Sequence, residues 1–115
     1  MLSASACHGD TAHLQCPGGT YISVHQANYG RLNSEVCAAG RDVSEVGHTS
    51  CRSAGTTTAV AGHCGGKNQC AMTVDDVTLN SGADPCVGTF KYLDVQYKCT
   101  DRKGESHEHV YRNAS

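Results

Sequence analysis

The residues best suited to ligand chemistry lie in the segment 84–91, which holds a carboxylate, an ammonium group and a glycine. Asp84 and Lys91 are seven residues apart, with Cys86 and Gly88 between them. If a disulfide anchors this segment, it presents an acceptor, a closely approached backbone and a donor to one small polyol. Alternatively, the cysteine and the glycine only shape a tight turn, and both charged side chains are solvated. The residue types alone leave these two interpretations open.

The elements that must position this segment are predicted to be mainly strands. Residues 91–99 alternate between apolar and polar side chains, which is typical of a half-buried strand. Residues 21–27 form a second predicted strand, which runs into the motif Ala-Asn-Tyr-Gly-Arg at 27–31. Shorter strands are expected at 13–16 and 70–74, and one short helix at 53–64. These patterns predict a small antiparallel β domain with a little helix.

Metal binding and catalysis find little support in the sequence. Seven histidines are present, but none of His63, His107 and His109 lies at metalloenzyme spacing. We therefore expect scattered surface histidines, with no metal and no cofactor. The adjacent acids Asp75 and Asp76 are typical of a solvated surface, and no Gly-x-Ser-x-Gly element is present, so no enzyme is predicted.

Eight cysteines in 115 residues dominate the composition. Leu, Ile, Val and Phe supply only 17 residues, about 15 %, so the apolar core is thin relative to the chain entropy that it must offset. Four disulfides at roughly 2–4 kcal/mol each would stabilise the fold by about as much as a whole domain's net stability. The even number of cysteines indicates an oxidising compartment, so we expect a secreted or extracellular protein.

Charge and hydropathy exclude two other classes of protein. The formal net charge is −2 and no basic run is present, so nucleic-acid binding is not expected. No stretch approaches the ~18 apolar residues that a membrane span needs, so no membrane insertion is predicted.

The distribution of the cysteines predicts one domain over residues 7–99, because no gap between them exceeds 20 residues. Residues 1–6 are interpreted as an N-terminal remnant, with Met1 as an expression start placed near a removed signal. Residues 100–115 are mostly polar and are predicted to form a C-terminal tail.

Four short motifs, taken in order, resemble the SUEL-type lectin domain, also called the rhamnose/galactose-binding lectin domain. They are Ala-Cys-His-Gly at 6–9, Leu-Gln-Cys-Pro at 14–17, Ala-Asn-Tyr-Gly-Arg at 27–31 and Asp-Pro-Cys-Val-Gly-Thr-Phe-Lys-Tyr-Leu at 84–93. Each motif alone is weak, but their order and spacing, with all eight family cysteines, are highly specific. The resemblance covers about residues 6–99.

The resemblance implies antiparallel strands packed as a sandwich with a helix. The expected fold class is therefore a small disulfide-rich α+β domain, antiparallel and β-sandwich-like, with one or two short helices. The resemblance also implies one disulfide pattern, whereas the spacing of eight cysteines leaves 105 patterns open. The implied bonds are Cys7–Cys37, Cys16–Cys99, Cys51–Cys86 and Cys64–Cys70.

The function that the resemblance implies is calcium-independent binding of L-rhamnose or D-galactose, without catalysis. These two sugars share the orientation of one pair of hydroxyls, so glycans that contain either sugar are the expected partners. A homodimer is expected as well, because linked sites would raise the weak affinity of a single one. The alternative is an extracellular adhesion or receptor module that binds a protein partner, because related domains occur on cell-surface receptors.

Five residues match the family's binding positions. Asp84 would accept hydrogen bonds from neighbouring hydroxyls, Lys91 would donate to their oxygens, and Gly88 would let the backbone approach the sugar. Tyr29 would pack near the apolar face of the sugar or pin the loop, or alternatively belong to the core. Arg41 would contact the sugar or alternatively form a structural salt bridge.

Two departures from the family pattern bear on sugar preference and affinity. His8 stands where many members carry a glutamate that binds sugar hydroxyls, and a neutral imidazole replaces only part of that pattern. If His8 faces the sugar, affinity should fall as the pH drops from roughly 7.5 to 5.5; alternatively, His8 points to solvent. The segment from Cys70 to Cys86 is a few residues longer than usual, and Asn80 is the nearest candidate for a family asparagine there.

Overall fold

The computed structural model describes residues 1–101, which form five strands and three short helices. The predicted class, a small disulfide-rich antiparallel α+β domain, is confirmed, with three helices where one or two were expected. The strands are β1 (Leu2–Cys7), β2 (Thr11–Gln15), β3 (Tyr21–Gly30), β4 (Gln69–Thr73) and β5 (Tyr92–Thr100). The helices are α1 (Val43–Val46), α2 (Thr56–Cys64) and α3 (Asp76–Asn80).

The strands form two antiparallel sheets. One sheet has the order β1-β5-β3, so β5 is hydrogen-bonded on both sides. The other sheet pairs β2 with β4. The central position of β5 explains why its alternating pattern was the clearest strand signal in the sequence, since its apolar side chains pack into the core.

The core lies between the two sheets and α2. Ile22, Val24, Leu93 and Val95 contribute from the three-stranded sheet and are fully buried. The two-stranded sheet contributes Ala12, Leu14 and Met72, and the helices contribute Val60, Ala61 and Leu79. These side chains are few and mostly small, which agrees with the thin core expected from the composition.

The outer edge of β3 is covered by threonines of α2. The backbone of Ala27 exchanges hydrogen bonds with the Thr57 hydroxyl, at 3.0 and 3.1 Å. The N–H of Tyr29 donates to the Thr56 hydroxyl at 3.2 Å. Threonine is a poor helix former, but here its hydroxyl satisfies a strand edge that would otherwise expose unpaired backbone groups. This explains why α2 forms despite its β-branched residues.

The four disulfides have the pairing that the family resemblance implies, and the structure places no free cysteine in residues 1–101. Cys16–Cys99 joins the end of β2 to β5 across 83 residues of sequence, and Cys64–Cys70 closes a separation of only 6. None of the helices in the described part of the chain is long and apolar enough to cross a membrane.

The first and last strands extend beyond the boundaries of 7 and 99 that were expected for the domain. Residues 2–6, interpreted as a remnant, form β1 together with Cys7 and pair with β5 from Leu2↔Tyr97 to Cys7↔Tyr92. Thr100 is the last residue of β5. Residues 102–115, which include most of the predicted tail, lie outside the described residues.

Removing Cys16–Cys99 by paired serine substitution should destabilise the fold more than removing Cys64–Cys70 in the same way. A disulfide that closes a long loop restricts the unfolded chain more, by about 4.5 kcal/mol for the first pair against about 2 kcal/mol for the second. Urea unfolding of the two double variants measures the difference. Equal losses of stability would contradict the explanation that loop closure by the disulfides compensates for the thin core.

Candidate functional site

The candidate site lies at one end of the three-stranded sheet. The register aligns Cys7 with Tyr92 and Tyr92 with Gly30, so the residues adjacent to these three positions are neighbours in space. His8 follows β1, and its N–H donates to the Lys91 carbonyl at 3.0 Å. The strand pairing therefore brings His8, Tyr29 and Lys91 together from three distant parts of the sequence.

Lys91 is buried, and its ammonium group is held by three oxygen atoms. Nζ lies 2.9 Å from Asp84 Oδ1, 2.7 Å from the Thr89 carbonyl and 3.4 Å from the Cys86 carbonyl. The Lys91 side chain is 7 % exposed, whereas that of Asp84 is 32 % exposed. An ammonium group has three protons, so the three bonds satisfy it, and the bond to Cys86 is the longest.

Asp84 has one carboxylate oxygen engaged and one available. Oδ1 accepts hydrogen bonds from Lys91 and, at 2.9 Å, from the Cys86 N–H, and no residue from 1 to 101 donates to Oδ2. Partial burial opposes ionisation, but the two hydrogen bonds and the charge of Lys91 outweigh it and hold the pKa of Asp84 below its ordinary value. Asp84 is thus an anion with one free, partly exposed acceptor.

Gly88 lies in a tight turn between these two charged residues. The Thr89 N–H donates to the Cys86 carbonyl at 3.1 Å, and Gly88 has a φ of +87°. This is a backbone conformation that glycine adopts at little steric cost. A Cβ at Gly88 would meet no atom within 4 Å, so the turn exposes its backbone to open space. Cys86 is tied to Cys51, which anchors the turn to the body of the domain.

His8, Tyr29 and Asp76 form a hydrogen-bonded chain beside this turn. The Tyr29 hydroxyl lies 2.8 Å from His8 Nδ1 and 2.8 Å from Asp76 Oδ1. Tyr29 is fully buried, whereas His8 is exposed. Asp76 comes from α3, whose N-terminus is capped by the Asp75 side chain accepting from the Thr78 N–H at 2.7 Å. Asp76 was not among the predicted binding residues.

Arg41 lies at the margin of the cluster, stacked on an aromatic ring. Its guanidinium carbon lies 3.5 Å from the centre of the Phe90 ring, and its Nη1 lies 3.7 Å from Glu45 Oε2. The Phe90 ring in turn meets the His8 ring edge-on, at a centroid distance of 6.3 Å. Within residues 1–101, Arg41 therefore contacts the cluster through Phe90, and Glu45 is the salt-bridge partner that was the alternative role for Arg41.

Asn80 makes no hydrogen bond to the cluster within residues 1–101. Its Oδ1 accepts from the Ser53 hydroxyl at 2.9 Å, and its Nδ2 donates to the Ala83 carbonyl at 3.0 Å. These bonds tie the end of α3 to the loop that leads to Asp84. Asp76, four residues earlier in the longer segment, is the side chain of α3 that hydrogen-bonds within the site.

Arg31 is a second residue whose role the sequence did not reveal. It is fully buried, and its guanidinium donates to the carbonyls of Phe90 at 2.9 Å, Asn33 at 2.7 Å and Cys37 at 3.5 Å. Burial disfavours the charged form and lowers the pKa of Arg31. The bond to Phe90 fixes the backbone immediately before Lys91. In the sequence, the one feature that singled out Arg31 was its position at the end of the Tyr-Gly-Arg motif.

Together these residues define a small, disulfide-linked β domain with a cluster of polar side chains at one end of its sheet. Within residues 1–101, no three or more His, Cys, Asp or Glu side chains are grouped as a metal site would require. The chain belongs to the D-galactoside/L-rhamnose binding SUEL lectin domain family, which matches residues 14–99. The family resemblance drawn from the motifs is therefore confirmed.

The chain is similar to two kinds of curated relatives. It is 38 % identical to the L-rhamnose-binding lectin CSL1 of Oncorhynchus keta over 99 residues, which are 86 % of this chain and 33 % of that protein. It is 39 % identical to the L-rhamnose-binding lectin SML of Scomberomorus niphonius over 93 residues, 81 % of this chain and 44 % of the relative. It is also 35 % identical to human adhesion G protein-coupled receptor L1, over 91 % of this chain and 7 % of the receptor. The chain thus spans less than half of each of these relatives.

Replacing Gly88 by alanine should destabilise the domain by about 1–2 kcal/mol, because an L side chain is strained at positive φ. Gly62, an exposed glycine inside α2 with open space around its Cβ position, provides a matched control. Gly62→Ala should instead stabilise the domain by about 0.5–1 kcal/mol. Urea unfolding measures both, and a neutral Gly88→Ala would show that the turn does not depend on glycine.

Proposed function

We propose that this site binds a single sugar residue, D-galactose or L-rhamnose, through a pair of neighbouring hydroxyls. The observation that supports this most directly is the free Oδ2 of Asp84, an ionised acceptor held in place from its other oxygen. Such charge-assisted hydrogen bonds are roughly twice as strong as neutral ones. Because the side chain is already fixed, binding costs little conformational entropy.

Lys91 supplies the complementary donor. Its bond to the Cys86 carbonyl, at 3.4 Å, is weaker than those to Asp84 and Thr89, so a sugar oxygen can take its place without leaving the charge unpaired. The turn at Gly88 keeps side-chain bulk away from the ligand on that side. In this proposal Asp84 accepts hydrogen bonds from two neighbouring hydroxyls, and Lys91 donates to their oxygens.

The remaining predicted residues act mainly as supports in this proposal. Tyr29 is fully buried, so it pins His8 rather than offering its ring to the sugar. Arg41 holds Phe90 against His8, and Asn80 holds the loop before Asp84. His8 is the exposed member of the cluster and the one that can contact the ligand. The function proposed for the domain is binding, without turnover of the sugar.

Asp84→Asn should weaken binding of galactose and rhamnose at least tenfold, because the amide removes the charge that strengthens the hydrogen bonds to both hydroxyls. Asp101→Asn, at an exposed position just after β5, removes the same charge away from the site and should leave affinity unchanged. Isothermal titration calorimetry of each sugar with both variants makes the comparison. Unchanged affinity in Asp84→Asn would exclude this carboxylate as the anchor.

Binding should not depend on calcium. A calcium ion takes about six to eight oxygen ligands, usually from several carboxylates, whereas the proposed contacts are made by protein groups directly. Titration in excess EDTA should give the same dissociation constant as titration with added calcium. A loss of binding in EDTA would contradict the proposed mode of recognition.

A protein-binding function is the second candidate, and the similarity to an adhesion receptor favours it. In that case the exposed rim of the site would contact a protein surface, and the site itself would not select a sugar. A glycan array distinguishes the two functions, because a lectin gives signals that free galactose or rhamnose abolishes. A protein-recognition module gives no signal that a monosaccharide inhibits.

We further infer an extracellular location and a homodimer. Four disulfides require an oxidising compartment. A single site with few hydrogen bonds binds weakly, whereas two linked sites raise avidity by ~10²–10⁴. Light scattering should therefore give the mass of two chains in the sample that cross-links glycan-bearing cells. A monomer that cross-links cells equally well would refute the dimer.

A further inference from the structure

The Tyr29 hydroxyl takes part in two hydrogen bonds, and their directions follow from its single proton. The Tyr29 hydroxyl lies within hydrogen-bond distance of both His8 Nδ1 and Asp76 Oδ1. It has one proton, and an ionised carboxylate only accepts, so Tyr29 donates to Asp76. The oxygen of Tyr29 is then left to accept, and His8 must donate to it from Nδ1. The chain of donors runs from His8 through Tyr29 to Asp76.

Tyr29 keeps the proton on which this direction depends. Burial raises the pKa of Tyr29 far above its ordinary value. Its hydrogen bond to Asp76 and the negative charges of Asp76, Asp84 and Asp75 raise this pKa further. The hydroxyl therefore keeps its proton at neutral and mildly acidic pH.

We propose that Asp76 is a positioning residue that, through Tyr29, holds the proton of His8 on Nδ1 and makes Nε2 the acceptor that faces the ligand. A neutral imidazole has one donor and one acceptor nitrogen, so fixing the first fixes the second. His8 is exposed, and no residue from 1 to 101 hydrogen-bonds to its Nε2. This inference deepens the proposed sugar site and rests on it for the identity of the ligand.

The arrangement makes recognition sensitive to acid. When the neutral imidazole of His8 takes up a second proton, Nε2 changes from an acceptor into a donor. The bond from Nδ1 to Tyr29 survives this change, and Asp84 stays ionised because its pKa lies below its ordinary value. The charged groups around His8 are Asp75 and Asp76 of α3, Asp84 and Lys91 of the turn segment, and Arg41 across the Phe90 ring.

Nitrogen NMR of the imidazole tests the assignment without any sugar. In ¹⁵N-labelled protein at about pH 8, His8 should carry its proton on Nδ1. In Asp76→Ala the Tyr29 hydroxyl becomes free to donate to Nδ1, so the proton should move to Nε2. Asp75→Asn is the matched control, because it removes the adjacent charge but keeps an oxygen for the Thr78 N–H, and its tautomer should remain that of the unmodified chain.

Calorimetry at pH 7.5 and pH 5.5 tests the consequence for binding. Loss of one acceptor should weaken the affinity of the unmodified chain for galactose or rhamnose by about three- to tenfold at the lower pH. His8→Glu should bind more tightly and lose this dependence, because a carboxylate accepts at both pH values. Asp76→Ala should be weak at both pH values, since its Nε2 already carries a proton.

The two measurements separate failure of this inference from failure of the proposed function. If sugar binds but His8 carries its proton on Nε2 in the unmodified chain, the role of Asp76 is overturned and the sugar site stands. If the proton is on Nδ1 and moves in Asp76→Ala, the role of Asp76 is supported even when no monosaccharide binds. An affinity that is equal at both pH values would remove His8 from the contact surface and overturn its role as acceptor.

Discussion

The site is organised by the need to satisfy a buried ammonium group. A charge removed from water is costly unless it is paired and fully hydrogen-bonded, and Lys91 meets this condition with one carboxylate and two carbonyls. Those partners lie within seven residues of it, so the loop must fold back on itself. The tight turn at Gly88 and the disulfide from Cys86 to Cys51 make that return possible. The same constraint engages one carboxylate oxygen of Asp84 and leaves the other without a hydrogen bond from residues 1–101.

Arg31 is a second buried cation, and it holds the backbone beside Lys91. Arg31 has no carboxylate partner in the described structure and relies on three carbonyls and on the Tyr92 ring, 5.1 Å from its guanidinium carbon. Gly30, just before it, must lack a side chain, because a Cβ there would lie 2.2 Å from the Cys51 carbonyl oxygen. The Tyr-Gly-Arg motif therefore places a cation where it fixes the backbone next to Lys91. The motif at 27–31 and the motif at 84–93 are far apart in sequence, but they are joined by the hydrogen bond from Arg31 to the Phe90 carbonyl.

The sequence predicted four of the five strands in residues 1–101 because their signals are local, whereas β1 was interpreted as an N-terminal remnant. The signal that singled out the segment 84–91 is local as well. The alternation along β5 and the order of Asp84, Gly88 and Lys91 are visible within ten residues. The orientation of Tyr29 was not predictable in this way. A bulge between Val24 and Gln26 breaks the alternation of β3, so that residues 22 and 24 before it and 27 and 29 after it all reach the core. Asp76 was missed because its contact depends on where α3 begins in a lengthened loop.

The pairing of Leu2 with Tyr97 places both ends of the described chain at one end of the three-stranded sheet, while the site occupies the other. At about 3.3 Å per residue, the nine residues of β5 separate the two ends by roughly 25–30 Å. A segment of chain joined at either of these ends would therefore begin far from the turn at Gly88. On the C-terminal side, the covalent link between Cys99 and Cys16 fastens the end of β5 to the two-stranded sheet. Neighbouring segments attached there would leave the exposed backbone of Gly88 and the unpaired oxygen of Asp84 unobstructed.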